Sequence, residues 1–293
     1  MSALAQRRPG RRARGGLLAR LARTPGGVVG LVGCAVILVI ALLGPLVAPY
    51  GPTELPCTPF DGPTGDFPLG CDAFAHDVLS RVLHGGRTVV LLGGLSTLLA
   101  YLIGATIGLV AGYRRGTVDA VLMRAMDVLL AFPPILLLLV LATGAGAGVA
   151  PLVAGIVIVH IPGIARVVRS ATLQTAVRGY VEAAVARGER APTVVFREIL
   201  PNITNTLAAD GGPRLTVSIL LVAAVNFLGL GLRPPAADWA LMISENRPGL
   251  TIQAWSVAAP AILIAVLTIS VNLVADAAAR AAGRSLDTEA LRR

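Results

Sequence analysis

Five stretches of the chain carry no charged side chain: residues 24–53, 88–113, 128–165, 215–232 and 248–275. A charge at the centre of a membrane helix costs roughly 2.5–3.5 kcal/mol on the insertion scale, and about 20 apolar residues cross the hydrocarbon layer. The stretch 128–165 is interrupted by Thr143-Gly-Ala-Gly-Ala-Gly148 and Pro151, so it holds parts of two helices joined by a tight uncharged turn. The expectation is six spans, near 26–48, 88–112, 119–142, 149–168, 214–232 and 254–276. Composition agrees. Of 293 residues, 55% are hydrophobic and 14% charged, and mean hydropathy is +0.77. A soluble domain is roughly 25% charged, so lipid must serve as the solvent for much of this surface. Disorder is excluded by the same numbers, and a β-barrel by the absence of alternating segments of about ten residues. The expected fold class is an all-α integral membrane bundle. Gly104, Gly108 and Gly112 form a small-residue stripe on the second span, either a close helix contact or ordinary membrane glycine.

The net charge is +9, and all 25 basic residues are arginine. Without lysine there is neither a Walker A loop nor a Schiff-base amine, so ATP-driven work must come from another subunit. His76, His84 and His160 are scattered, with no metal-ligand spacing. No catalytic set of paired carboxylates, Ser/Lys or His-Glu is present, so neither a catalytic residue nor a metal site is expected. The arginines lie between apolar runs, which argues for membrane orientation and against nucleic acid. Seven precede residue 24, seven fall between Arg166 and Arg214, and four follow residue 276. The segment after the first span carries Glu54, Asp61, Asp66, Asp72 and Asp77 instead. Both termini are therefore expected in the cytoplasm. The first apolar run is too long for a signal peptide and reads as a retained anchor.

These boundaries divide the chain into a basic cytoplasmic arm (1–25), a first span (26–48), an external loop (49–87), a core of five spans (88–276) with a cytoplasmic segment 169–213, and a cytoplasmic tail (277–293). The segment between the fourth and fifth spans is too long for a plain connector. Within it, Tyr180–Arg187 reads as a short helix ended by Gly188. A second helix begins near Pro192 and runs to Pro201. Val181, Ala184 and Val185 share a face at i, i+3, i+4 spacing. Such a helix outside the bilayer buries that face against its own bundle or a partner protein, or lies on the interface. Arg124 and Asp127, at i, i+3 on the third span, are candidates for an intramembrane charge pair; Arg124 also lies close enough to the cytoplasmic end to snorkel. Cys57 and Cys71 in the external loop either form a disulfide or remain thiols, and Cys34 is an apolar filler.

Glu182-Ala183-Ala184-x3-Gly188-x11-Leu200-Pro201 resembles the coupling-loop signature of ABC-importer permeases. Pro68-Leu-Gly70, Asp77-Val-Leu-Ser-Arg81, Met123-Arg-x-Met-Asp127, Ala165-Arg-x-Val-Arg169, Leu200-Pro-Asn202 and Phe227-Leu-Gly-Leu-Gly231-x2-Pro-Pro235 resemble its peptide/nickel branch, over about residues 20–276. The resemblance implies a type I permease bundle in a bacterial cell membrane, paired with a homologous permease subunit as a heterodimer. It also implies two cytoplasmic ATPase subunits that bind the ATP and Mg, and an external solute-binding protein. The cargo it implies is short peptides, or nickel and other small solutes. In that scheme Tyr180, Glu182, Ala183, Ala184, Gly188, Leu200 and Pro201 form the ATPase-coupling element, and the chain itself holds no cofactor. Val185 and Val222 stand where the branch carries Arg and Glu, and the tail after Asn272 also departs from its pattern. A secondary transporter driven by an ion gradient is the alternative. It needs a coupling-ion site near the bilayer midplane, and the charge-free stretches offer only His160.

Overall fold

The computed structural model describes residues 24–146 and 148–290, with side chains described to residue 280. The arginine-rich arm up to Arg23 and residues 291–293 lie outside the described residues. The described chain is helical: α1 (Pro25–Val47), α2 (Val78–Arg114), α3 (Gly116–Leu130), α4 (Pro134–Ala145), α5 (Val149–Ala176), α6 (Gly179–Ala186), α7 (Ala191–Val194), α8 (Leu200–Phe227), α9 (Trp239–Asn246) and α10 (Trp255–Ala290). Thr24 caps α1 by accepting from the Gly27 N–H, ahead of Pro25 at the first helical position. Asp77 caps α2 in the same way through the Ser80 N–H at 2.9 Å. That cap starts α2 ten residues before the charge-free stretch, so Arg81 and Arg87 lie on the helix and not in a loop. At 37 residues, α2 is about 55 Å long and outreaches the hydrocarbon layer of about 30 Å.

The direction of each span follows from which residues touch. A Cβ on Gly108 would lie 2.5 Å from the Ala165 carbonyl oxygen, one on Gly104 would meet Ile164, and one on Gly112 would meet Thr172. Both series ascend, so α2 and α5 run parallel in close contact, and the glycine stripe is the seam between them. Gly44 meets Leu83 and Gly86 meets Ala41, Gly30 meets Leu273 and Gly33 meets Val266, Gly93 meets Ile219 while Tyr101 reaches Asp210, and Gly212 meets Ala275 while Thr216 reaches Asn272; each series descends, so α1 and α8 run opposite to α2 and α10. Because α2 and α5 are parallel, the chain between them must return across the bundle once. α3 and α4 make that return.

The return is not the straight helix that the sequence suggests over 119–142. α3 and α4 meet at 85°, with Phe132 and Pro133 between them. Pro133-Pro134 removes two N–H donors and forces the residues ahead of each ring out of the helical region, as the extended ψ of 132° at Pro133 shows. Counted as one crossing, the bent pair makes six, with three spans in each direction. The two ends of the described chain then emerge together: the Arg280 guanidinium lies 4.0 Å from where a Gly26 Cβ would sit.

The end of the bundle away from those termini is closed by segments 48–77 and 228–254. α9 lies across α2 with Trp239 fully buried, its Nε1–H donating to the Val82 carbonyl at 2.8 Å and its ring against Gly85 and Gly86. Gln253 donates to the Leu69 carbonyl, and the Asn246 Oδ1 accepts from the Ala73 N–H, so the two segments form one cap. Cys57 and Cys71 are joined by a disulfide within it. Apolar side chains exposed along α1, including Val32, Leu42 and Leu46, face outward from the bundle, as a lipid-facing stripe does.

Candidate functional site

At the end of the bundle where α1 begins and α10 leaves the core, α6 stands apart from the spans. Val181 and Ala184 are buried in the same apolar core as Leu109 of α2, Val168 of α5 and Ile203 of α8. Tyr180, Glu182, Ala183 and Ala186 are exposed. Val185 is also 52% exposed, although the i, i+4 spacing places it with Val181. The buried face is the narrower i, i+3 stripe, because α6 meets the bundle along a single edge. Glu182 lies in the first turn of α6, where a carboxylate complements the helix dipole.

Gly188 ends α6 at φ +78°, the left-handed region. The Gly188 N–H donates to the Val185 carbonyl at 2.9 Å, and the Glu189 N–H to the Ala184 carbonyl at 3.2 Å. This pairing closes the last turn and needs a residue free of a Cβ penalty. Nothing lies within 4 Å of a Cβ built there, so the requirement is backbone conformation and not space.

The chain then runs from Ala191 to Phe227 as one continuous helix, and Pro201 does not end it. Residues Val195–Ile199 form a π turn, and the Leu200 N–H donates to the Val195 carbonyl. The widened turn accommodates the proline ring, which would collide with the carbonyl four residues back in a regular helix. Leu200 and Pro201 therefore sit on the rigid stem that joins α6 to α8. Leu200 packs on the core and Pro201 is exposed.

Extending α8 back to Leu200 brings Asp210 and Arg214 into the bundle. From the sequence this span is expected to start at residue 214, which leaves Asp210 in the cytoplasmic segment 169–213; the helix begins earlier and carries Asp210 into the bundle beside Arg214. The Tyr101 hydroxyl, at the centre of a charge-free stretch of α2, donates to Asp210 Oδ2 at 2.6 Å. Arg214 Nε donates to the same oxygen at 3.2 Å, and its guanidinium lies over Gly163 of α5. One turn further, the Ser218 hydroxyl sits 2.8 Å from Thr97 and 3.0 Å from His160 Nε2. A polar seam thus ties α2, α5 and α8 together at depth. Its signal in the sequence was Pro201 at the first turn of a helix, read as an end.

The expected Arg124–Asp127 pair does not form. Asp127 binds Arg166 of α5, and Asp119 of α3 binds Arg169 of α5 through two hydrogen bonds. Both carboxylates of α3 therefore face α5, and Arg124 is exposed. The i, i+3 spacing allowed a pair within α3, but the packing of α3 on α5 offered a closer partner.

Residues 104–287 match the family described as binding-protein-dependent transport system inner membrane component, and residues 16–61 match the N-terminal TM domain of oligopeptide transport permease C. The chain is 37% identical over 216 residues to a glutathione transport system permease protein of Pectobacterium atrosepticum, covering 74% of this chain and 72% of that protein. It is 31% identical to a dipeptide transport system permease protein of Haemophilus influenzae, covering 86% and 88%. It is 32% identical to a di/tripeptide transport system permease protein of Pseudomonas aeruginosa, covering 87% and 86%. Among solved structures it resembles a chain of the MetNI methionine ABC transporter in an inward-facing conformation, with TM-score 0.56 and 18% identity over 70% of this chain and 96% of that one. That likeness supports the fold.

Proposed function

Because the chain belongs to the binding-protein-dependent inner-membrane permease family and is a permease subunit of an ABC importer, we propose that α6 is the lever through which separate ATPase subunits drive it. The observation that carries this reading is the division of α6 into two faces. Val181 and Ala184 are anchored in the core of α2, α5 and α8, while Tyr180, Glu182, Ala183 and Val185 are free to meet a partner. A push on the free face reaches three spans, which the polar seam holds as one body. ATP does work in such a system because it binds the closed ATPase pair more tightly and so shifts the equilibrium between two arrangements of the bundle. This chain contributes no nucleotide site, and ATP and Mg are held by the partners.

In this reading α6 and both termini are cytoplasmic, and the cap containing Cys57–Cys71 is external. The arginine bias toward the α6 end and the acidic residues of segment 49–77 support that orientation. The second half of the path comes from a homologous permease, and an external solute-binding protein delivers the cargo. Relatives named for dipeptide, di/tripeptide and glutathione transport favour short peptides as that cargo.

The test is co-purification with an ATPase subunit combined with uptake of a labelled di- or tripeptide. Glu182→Lys and Gly188→Pro are expected to leave membrane insertion intact, abolish uptake and weaken ATPase association. Normal uptake by both variants would reject α6 as the lever.

A further inference from the structure

Arg214 leaves most of its donors unused. Nε bonds Asp210 Oδ2, while neither Nη1 nor Nη2 has a hydrogen-bond partner among the described residues. Both nitrogens remain accessible, on a side chain that is 25% exposed. The guanidinium lies where a side chain at position 163 would stand: a Cβ on Gly163 would come 2.5 Å from Nη1 and 2.7 Å from Nη2. Glycine in α5 therefore makes the slot. Asp210 holds Nε from one turn away and is itself held by the Tyr101 hydroxyl of α2, so the fork is oriented before any ligand arrives.

Two polar stripes lead to this slot. On α8, Asn202, Thr206 and Asp210 recur every four residues up to Arg214, the first two exposed and Asp210 half-buried. On α5, Gln174, Ser170 and Arg166 recur at the same spacing toward Gly163, and all three are exposed. Residues four apart share a helix face. Because α5 and α8 are antiparallel, both stripes start at the α6 end and converge where Arg214 meets Gly163. Beyond that level α8 exposes Val217 and Leu220 instead. Exposed polar side chains over successive turns face water, since polar groups inside a membrane turn to a cavity or the bundle interior and not to lipid. Arg214 thus stands at the inner limit of a wet wedge. Arg166, nearer the opening, is half-exposed and bound to Asp127. Arg214 is three-quarters buried, where an anion competes with less water for the same donors.

A guanidinium only donates and stays charged at any physiological pH, so its ligand must accept. Its planar fork matches the two oxygens of a carboxylate. We propose that Arg214 is a carboxylate-binding station on the translocation path, taking the C-terminal carboxylate of a short peptide through Nη1 and Nη2. Gly163 supplies the space and Asp210 the orientation. The proposal rests on the short-peptide reading above and goes beyond it by naming the cargo group and the side chain that takes it. Asp210 already offsets the charge of Arg214, so fork geometry sets the affinity and keeps it weak, as passage through a path requires.

The test uses the whole nucleotide-free transporter in lipid nanodiscs, without the binding protein, titrated by saturation-transfer NMR with N-acetyl-Ala-Ala and with its C-terminal amide. The acid is expected to bind roughly tenfold more tightly than the amide, a difference of about 1.4 kcal/mol. Arg214→Gln should erase that difference by weakening the acid alone. Arg214→Lys keeps the charge without the fork and should retain part of it. Gly163→Ala displaces the guanidinium without removing it and should weaken the acid several-fold, which decides the matter even if Arg214→Gln fails to assemble. Equal binding of acid and amide by wild type would overturn the station, as would an acid preference that survives both Arg214→Gln and Gly163→Ala. If a carboxylate of the homologous permease fills the fork instead, the two probes bind alike and Arg214→Gln loosens the permease pair in a pull-down; that result also overturns it. Uptake of a labelled tripeptide with binding protein and ATP reads the cargo separately. No uptake alongside an intact acid preference rejects short peptides as cargo, whereas uptake without that preference rejects the station alone.

Discussion

The Tyr101 hydroxyl of α2 is bonded to Asp210 of α8 at 2.6 Å, across 109 residues of sequence and near the middle of the bilayer-spanning region. Neither residue has an equally short alternative. Asp210 also holds Arg214, so a single carboxylate organises donors from its own helix and a neighbour.

Tyr101→Phe removes one hydrogen bond to a charged acceptor and leaves the ring in place. Such bonds contribute about 1.5–3 kcal/mol. A lowered melting temperature for the detergent-purified complex is expected. Asp210→Ala should lower it further, because it leaves Arg214 unpaired. Equal melting temperatures for wild type and Tyr101→Phe would show that the seam contributes nothing.

Two glycines on α2 should respond in opposite ways. Gly108→Ala places a Cβ against the Ala165 carbonyl and forces α2 away from α5, so reduced yield of folded protein in the membrane is expected. Gly94 has nothing within 4 Å of the equivalent point, and alanine there should stabilise the helix by roughly 0.5–1 kcal/mol. Thermal melts of both variants check the contrast, and similar destabilisation by the two would count against the parallel α2–α5 contact.

Asp238 offers a pH-dependent readout. It caps α9 by accepting from the Ala240 and Leu241 N–H groups, and it is fully buried. Burial pushes its carboxyl up from 3.8 to about 6; the hydrogen bonds from the Leu241 and Ala240 N–H groups pull partly back, and the nearby Glu245 adds to the rise. The folded state therefore holds the proton more tightly than the unfolded state. Stability should rise as pH falls through about 6, with the gain complete below 3.8, and the charged form costs roughly 3 kcal/mol above that window. Asp238→Asn keeps the capping oxygen and removes the charge. Its melting temperature should match or exceed wild type at pH 7.5 and change less between pH 7 and 5. A wild type that loses stability over that interval relative to the variant would reverse the sign and exclude this account.

The disulfide closes a loop of 14 residues in the cap, for which the chain-entropy estimate is about 3 kcal/mol. Because Arg81 also holds this segment through Asp72, as do Asn246 and Gln253, Cys57→Ser with Cys71→Ser should leave the span bundle inserted and make the cap more susceptible to protease. Limited proteolysis on spheroplasts with intact membranes measures this. Unchanged cleavage between residues 50 and 70 would show that those side chains suffice without the bridge.

The spans were legible because lipid excludes charge: wherever the sequence lacks Arg, Asp and Glu over about 20 residues, a helix crosses. The end of α6 was legible too, since a left-handed turn favours glycine wherever it occurs. Helix limits were less accessible. Val78 and Leu200 begin helices well before the apolar runs, because a cap at Asp77 and a π turn at Val195–Ile199 let helices project beyond the hydrocarbon, where hydropathy no longer reports. Partners were hidden altogether. Asp127 has Arg124 one turn away and Arg166 39 residues away, and only the packing of α3 against α5 decides for Arg166. Hydropathy is a property of local segments, so the sequence determined how many helices enter the membrane. Electrostatic pairing depends on distances between segments, which packing alone sets, and so the seam, the anchored face of α6 and the buried pairing of Arg81 with Asp72 and Glu245 belong to the tertiary structure.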